Sequence, residues 1–115
     1  IEGLWLVPFK SEKVLESVRE NGRIIIAGDA GARSYYLNDI AANITEMAFD
    51  DLDAAPVVLG SRNWITPCHE LEEAFFPQPS WFLDAINEKI VPLKDYVPVS
   101  NQTVAEQIIH ARKGI

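Results

Sequence analysis

Cysteine, methionine and histidine are scarce in this chain of 115 residues, which has one cysteine, one methionine and two histidines. A single thiol, Cys68, excludes an internal disulfide framework and favours a cytoplasmic location. No apolar run approaches the roughly 20 residues that a membrane-spanning helix needs. The chain begins Ile1-Glu2-Gly3 without a basic segment or an initiator methionine. We therefore expect no signal peptide, and we expect the chain to be a fragment of a longer protein.

Basic residues are almost missing from the middle of the chain. Residues 36–88 contain ten acidic residues and a single base, Arg62, whereas the whole chain has a net charge of -7. A segment this acidic repels phosphate backbones, so nucleic-acid binding is not expected. It would attract a basic partner, although an acidic face that only keeps the protein soluble explains the same charge.

Short apolar runs alternate with segments of helical periodicity. Strands are predicted at residues 3–7, 23–27 and 56–60. Helices are predicted from Ser11 to Asn21-Gly22, from about Tyr35 to Ala48, at about 70–74, from about Ser80 to Pro92, and from Thr103 onward. The helix that begins at about Ser80 is predicted to have Phe82, Leu83, Ile86 and Ile90 on one, buried side. This alternation is typical of an α/β fold with a mostly parallel sheet that is covered on both faces.

The long central helix has the clearest pattern. Ser34 is a plausible N-cap, and the apolar positions recur at helical spacing. The predicted buried stripe consists of Leu37, Ile40, Ala41, Ile44, Met47 and Ala48. The residues before it, 28–34, are predicted to form a loop, and the β-branched run Ile24–Ile26 predicts a strand buried on both faces.

The loop Gly28-Asp29-Ala30-Gly31 occupies the position where α/β proteins bind phosphates. It lacks the dinucleotide fingerprint and a Walker lysine, and Asp29 would repel a phosphate, so a plain turn is predicted.

Cys68 and His69 raise the possibility of a nucleophile or a metal ligand. Neighbours in sequence usually point apart, and one cysteine with one histidine falls short of a structural zinc site. We therefore predict a buried, inert thiol and a loop histidine. Glu70, Glu72 and Glu73 are predicted to lie on a helix surface.

Aromatic residues are concentrated in one proline-rich stretch. Trp64, Phe75, Phe76 and Trp81 follow Arg62 closely. These residue types are enriched at protein interfaces, but they also pack domain cores, and both interpretations stay open. Tyr35 and Tyr36, at the start of the central helix, have the same ambiguity.

An ordered series of segments resembles one known family. The series comprises Trp5-Leu6-Val7-Pro8-Phe9, residues 13–18 followed by Gly22–Ile26, residues 39–57, Thr66-Pro67 with Glu70–Pro77, and Ser80–Ile90. Together they are similar to the C-terminal domain of the β subunit, or β half, of thiamine-diphosphate-dependent 2-oxo acid dehydrogenases (branched-chain or pyruvate). The resemblance covers about residues 1–91. It departs at Gly31–Leu37, where relatives have a glycine-rich loop, and upstream, where relatives carry one more strand and helix.

The resemblance implies a three-layer α/β/α domain over residues 1–92, of the transketolase C-terminal type and truncated at its N-terminus, followed by a tail at 93–115. It implies no catalytic, cofactor or metal residue in this chain, while the parent enzyme would use thiamine diphosphate and magnesium to decarboxylate a 2-oxo acid. The implied partners are other domains or subunits of the same homo- or hetero-oligomeric enzyme and its lipoyl acyltransferase, with no nucleic acid and no membrane. Candidate contact residues are Tyr35, Tyr36, Asp50, Asp51, Asp53, Arg62, Asn63, Trp64, Phe75 and Phe76.

Two other functions stay open. One is the corresponding domain of a transketolase or a 1-deoxyxylulose-5-phosphate synthase, although the segment Leu71–Pro77 favours the dehydrogenase. The other is a free-standing flavodoxin-like or nucleotide-binding module, which would bind a small ligand by itself.

Overall fold

The structure is a computed structural model that describes residues 8–99. Its helices and strands are α1 (Glu12–Asn21), β1 (Ile25–Gly31), α2 (Tyr36–Met47), β2 (Val57–Ser61), α3 (Glu72–Phe75) and α4 (Pro79–Ala85). Two 3-10 turns cover Phe49–Asp51 and His69–Leu71, and a π turn, Ile86–Ile90, continues α4. The strand predicted at 3–7 and the helix predicted from Thr103 lie outside the described residues. None of the helices between residues 8 and 99 combines the length and apolar character required to cross a bilayer.

The two strands of the described sheet run parallel. Ile25 lies opposite Val57 and Ala27 opposite Leu59, and the register then shifts before Gly31 meets Ser61. The connection between the strands passes through α2, as parallel pairing requires. The prediction of a mixed α/β chain with a parallel sheet is confirmed.

Helices pack against both faces of this sheet. Because successive strand residues point to opposite faces, Ile25 and Ile26 enter different clusters. One cluster joins α1 and α2 and contains Val14, Leu15, Val18, Ile40, Ile44 and Ala48, with Ile24 and Ile26 against it. The other joins β2 and α4 and contains Val57, Leu59 and Ala85, with Ile25, Phe82 and Ile90 against it.

The boundaries of α1 follow from its end residues. Gly22 has φ +69°, and its N–H donates to Val18 O at 2.7 Å, which confirms the predicted left-handed cap. Ser11 occupies the N-cap position but its hydroxyl makes no capping hydrogen bond. The predicted position of Ser11 at the start of α1 is therefore confirmed, whereas the predicted cap by its side chain is wrong.

The loop predicted at residues 28–34 is wrong in its first half, since β1 extends to Gly31. The reason is a close approach between the strands: Ala32 N–H donates to Ser61 O at 3.1 Å, beside Gly60, which has no side chain to block it. The plain turn predicted at Gly28–Gly31 is therefore strand. Ile25 and Ile26 are half-buried against different clusters, so both faces of β1 are covered there as predicted, whereas Ala27 and Asp29, further along the strand, are exposed.

The central helix begins one residue later than predicted. Tyr35, in extended conformation, occupies the N-cap position, and Ser34 has φ +53°. Ser34 is therefore not the cap. Ile40, Ile44 and Ala48 are buried as predicted, but Met47, predicted in the same stripe, is 48% exposed.

The last helix presents a slightly different face from the one predicted. Ala85 is fully buried and Phe82 packs beside it, whereas Leu83, predicted on the buried side, is 43% exposed. The π turn closes with Val91 N–H donating to Ile86 O at 2.8 Å, and the helical segment ends before Pro92 as predicted.

Candidate functional site

Arg62 lies at the carboxyl end of the sheet, directly after β2. Its backbone N–H donates to Phe75 O at 2.9 Å, which ties the strand end to α3. Its guanidinium carbon lies 4.0 Å from the centroid of the Trp81 ring, a cation–π distance. Burial lowers the pKa of Arg62 from its ordinary value. A partly desolvated cation is thus held in a fixed place beside an aromatic ring.

The aromatic residues around Arg62 divide into core and surface. Phe75 is 4% exposed, so for this residue the core interpretation holds. Its ring lies 4.8 Å from Phe76 in an edge-on arrangement and 6.4 Å from Trp64, measured between centroids. Trp64 is 53% exposed and the following Ile65 is 94% exposed. Apolar surface therefore extends outward from a buried phenylalanine.

The remaining candidates near this end have smaller roles. Asn63 is half-buried beside Trp64. Tyr35 is 37% exposed, close to Gly28 of β1. Tyr36 is half-buried against the first core cluster. These two tyrosines consequently belong to different surroundings although they are adjacent in sequence.

The candidate acids lie at the opposite end of the sheet. Asp50 and Asp51 form the 3-10 turn after α2, and Asp51 Oδ2 lies 3.6 Å from Arg19 Nε. Asp53 N–H donates to the backbone oxygen of Gly22 at 2.7 Å, and Gly22 lies shortly before the start of β1. The five residues of β2 separate these acids from Arg62, and at about 3.3 Å per residue they span roughly 16 Å. The acids and the aromatics do not form one compact surface.

Cys68 and its neighbours are on the surface. Cys68 is exposed, so the predicted buried thiol is wrong: it precedes a short 3-10 turn that has no buried residue. A hydrogen bond from Cys68, together with one from the backbone amide of Glu70, holds the pKa of Glu70 below its ordinary value. His69 Nδ1 lies 3.1 Å from Glu72 Oε2, and both side chains are largely exposed. Across residues 8–99, no three His, Cys, Asp or Glu side chains come together to hold a metal ion.

A buried acid that the sequence interpretation missed organises the end of the described chain. Asp84 is 4% exposed. Its Oδ1 accepts hydrogen bonds from Tyr96 Oη at 2.7 Å and Val99 N–H at 3.2 Å. Asn87 Oδ1 accepts another from Leu93 N–H at 2.8 Å. These hydrogen bonds join residues 93–99 to α4 and its π turn. The sequence signal that could have revealed the buried Asp84 was an acid between Leu83 and Ala85 in an apolar helix.

A shallow groove lies between α2 and the residues that precede α1, on the face of the sheet that does not carry α4. Its volume is about 110 Å³, and its lining consists of Phe9, Ser11, Tyr36, Ile40, Asn43, Ile44 and Met47. We call it the α2 groove. Pockets for drug-sized ligands have volumes of roughly 300–1,000 Å³, so the α2 groove has room for a side chain and not for a nucleotide or a flavin.

Comparison with known families gives no assignment for this arrangement. No protein-family model matches the chain, and no curated protein matches it.

Proposed function

We propose that this chain is the non-catalytic C-terminal domain of a thiamine-diphosphate-dependent 2-oxo acid dehydrogenase, serving subunit assembly and docking of the lipoyl acyltransferase. The ordered series of segments that resembles this family supports the proposal. So do the parallel strands joined through α2 and the helices on both faces of the sheet, which are compatible with a three-layer transketolase C-terminal fold.

The observation that carries the assembly role is the apolar surface at the carboxyl end of the sheet. Trp64, Ile65 and Leu71 are 53%, 94% and 52% exposed. Trp64 rests on the buried Phe75, and Arg62 is held in place over Trp81. Aromatic and arginine anchors of this kind dominate the energetics of protein interfaces. Another domain or subunit of the same enzyme would cover this surface, which we call the aromatic end.

The docking role falls to the acids at the other end of the sheet. Asp50, Asp51 and Asp53 are all exposed. In the resembled family the acyltransferase presents a basic binding domain, which such a surface would attract. Thiamine diphosphate and magnesium would be held by other domains of the parent enzyme, where the thiazolium ring acts as the electron sink.

The assembly role is tested by light scattering on the 115-residue chain and on its Trp64→Glu and Ile65→Lys variants. We expect the unchanged chain to self-associate through the aromatic end and both variants to be monomeric. The control is Val97→Lys, because Val97 is also exposed, at 79%, but lies in the segment after α4. A monomeric unchanged chain, or equal loss of association in the control, contradicts the assembly role.

The alternatives are tested by calorimetry and by the parent's substrate. No binding of thiamine diphosphate, flavin or nucleotide to the chain is expected, and tight binding of any of these would make it a free-standing module. Turnover of branched 2-oxo acids by the parent enzyme distinguishes a dehydrogenase from a transketolase or a 1-deoxyxylulose-5-phosphate synthase, which act on sugar phosphates.

A further inference from the structure

Residues 93–99, which we call the strap, are fixed to the last helix at three points. Leu93 N–H donates to Asn87 Oδ1 at 2.8 Å. Tyr96 Oη and Val99 N–H both donate to Asp84 Oδ1, at 2.7 Å and 3.2 Å. Because Asp84 is buried, these two hydrogen bonds are shielded from water and are strengthened by their surroundings. The chain therefore leaves the described residues from a fixed place on α4.

Exposed apolar side chains surround this place. Val97 and Val99, on either side of Pro98, are 79% and 69% exposed. Leu83, which directly precedes the Asp84 that holds the strap, is 43% exposed. Since Val99 N–H is bonded to Asp84, Val99 lies beside the turn of α4 that carries Leu83. We call Leu83, Val97 and Val99 the α4 patch.

The sequence that follows the strap has an apolar stripe at helical spacing. Residues 100–115, which we call the end segment, lie outside the described residues. Thr103 and Glu106 have the spacing of a capping box, which predicts a helix from Thr103 onward. The steps of four, three and four residues place the main apolar side chains on one face of that helix. This stripe consists of Val104, Ile108, Ala111 and Ile115.

The length of the connection favours the end segment as the cover of the α4 patch. Four residues separate Val99 from Val104, and the five steps between them span at most about 18 Å. A tether this short gives the stripe an effective concentration on the order of 1 mM at the patch. A separate partner would have to reach a similar concentration to compete with it. The charges also agree, because the end segment has Arg112 and Lys113 against one acid in a chain of net charge -7.

We infer that the end segment folds back as a helix and covers the α4 patch with its apolar stripe. The strap fixes the start of the end segment, and the stripe supplies the apolar contact. Both lie beyond residue 91, where the family resemblance ends, so this contact is independent of the proposed function. With the patch covered, the outer side of α4 is closed to other subunits.

The test measures whether a thiol placed in the patch is protected. Val97→Cys is made in a Cys68→Ser background, so that the full chain of 115 residues has a single thiol. With the patch uncovered, a side chain at this 79% exposed position would react as fast in the native chain as in urea. We expect labelling by a thiol reagent to be about tenfold slower in the native chain, because only the roughly one-tenth of molecules with an undocked end segment would react. Labelling at the urea rate overturns the inference.

Variants of the end segment locate the contact. Ile108→Asp places a charge in the stripe and should restore fast labelling at position 97. His110→Asp is the matched control, because residues two apart lie on nearly opposite sides of a helix, and it should leave the protection unchanged. Ala42→Cys in the same background places the thiol at an exposed position of α2, which should be labelled fast with or without Ile108→Asp. Protection that persists in Ile108→Asp, or that is lost equally in His110→Asp, overturns the inference.

Dilution distinguishes the chain's own end segment from that of a second copy. Protection by a tethered segment is independent of protein concentration, whereas protection by a second copy falls as the protein is diluted. We expect no change on dilution, and a loss of protection overturns the intramolecular contact. Protection should also persist in the Trp64→Glu variant, which tests the assembly role at the aromatic end. Failure of self-association and failure of this contact are thereby measured separately.

Discussion

Replacing Gly60 with alanine should destabilise the fold more than an added methyl group would suggest. An alanine Cβ would lie 2.5 Å from Ala30 O, 2.8 Å from Ala32 N and 3.0 Å from Ala32 Cα. All three atoms belong to the backbone of the neighbouring chain segment, so no side-chain rotation relieves the contact. The strands must separate locally, which weakens the hydrogen bond from Ala32 N–H to Ser61 O.

The magnitude follows from those two effects. Overpacking costs about 1–3 kcal/mol. Loss of one backbone hydrogen bond adds about 1 kcal/mol. We expect Gly60→Ala to lower the free energy of unfolding by roughly 2–4 kcal/mol, measured by urea denaturation with tryptophan fluorescence.

Gly31 offers a matched control in the paired strand. It lies opposite Ser61, and a Cβ there would meet only Arg33 O, at an ordinary 3.7 Å. Gly31→Ala should leave stability unchanged or raise it by about 0.4–1 kcal/mol, because alanine restricts the unfolded chain. Similar denaturation midpoints for the two variants would refute the reasoning, since it depends on the backbone contact at Gly60 and not on loss of a glycine.

Three further predictions concern single side chains. Gly22→Ala should lower the free energy of unfolding by about 1–2 kcal/mol, because Gly22 has φ +69° and a Cβ would press on Asp53. Urea denaturation measures this change, and a neutral result contradicts the left-handed cap. The hydrogen bond to Asp84 raises the pKa of Tyr96, so the bond is intact below the ordinary tyrosine pKa and is lost as the pH rises through the higher one. Tyr96→Phe should therefore remove an ionisation that lies above the ordinary tyrosine pKa from an absorbance titration, and removal of an ionisation at the ordinary pKa would contradict the bond. Cys68 should react with a thiol reagent as fast in the native chain as in urea, and protection in the native chain would contradict its exposure.

The sequence predicted those parts of the fold that depend on local chemistry. The left-handed end of α1 needs only Asn21-Gly22, and β2 needs only a short apolar run before a turn. The buried residues Ile40, Ile44 and Ala48 follow from helical spacing. Each of these signals lies within a few residues of the feature it predicts.

The errors occur where distant segments decide the outcome. β1 extends through Gly31 because β2, about thirty residues later, offers Ser61 O and a glycine at position 60. The exposure of Cys68 depends on where the segment after β2 lies, and no local pattern encodes that. The burial of Asp84 depends on the return of residues 96–99, whose hydrogen bonds satisfy the carboxylate.

The candidate residues were predicted by type, and their arrangement was not. Arginine, tryptophan and phenylalanine near a sheet end, and aspartates after a helix, are visible in the sequence. Their distribution between two ends follows from strand polarity, because Asp53 precedes β2 and Arg62 follows it. A sequence that places acids and aromatics a short distance apart along the chain can therefore still put them at opposite ends of a sheet.

That separation bears on how two partners would share so small a domain. A strand of five residues keeps the aromatic end and the acids beyond each other's reach, so a subunit covering Trp64 leaves Asp50 and the α2 groove open. The interactions also differ in kind. Burial of Trp64 and Ile65 is insensitive to salt, whereas attraction to exposed aspartates is screened within about 10 Å at 0.1 M ionic strength. The proposed function thus combines a permanent apolar contact at one end with a reversible, salt-dependent contact at the other, and the polarity of the parallel strands is what keeps the two apart.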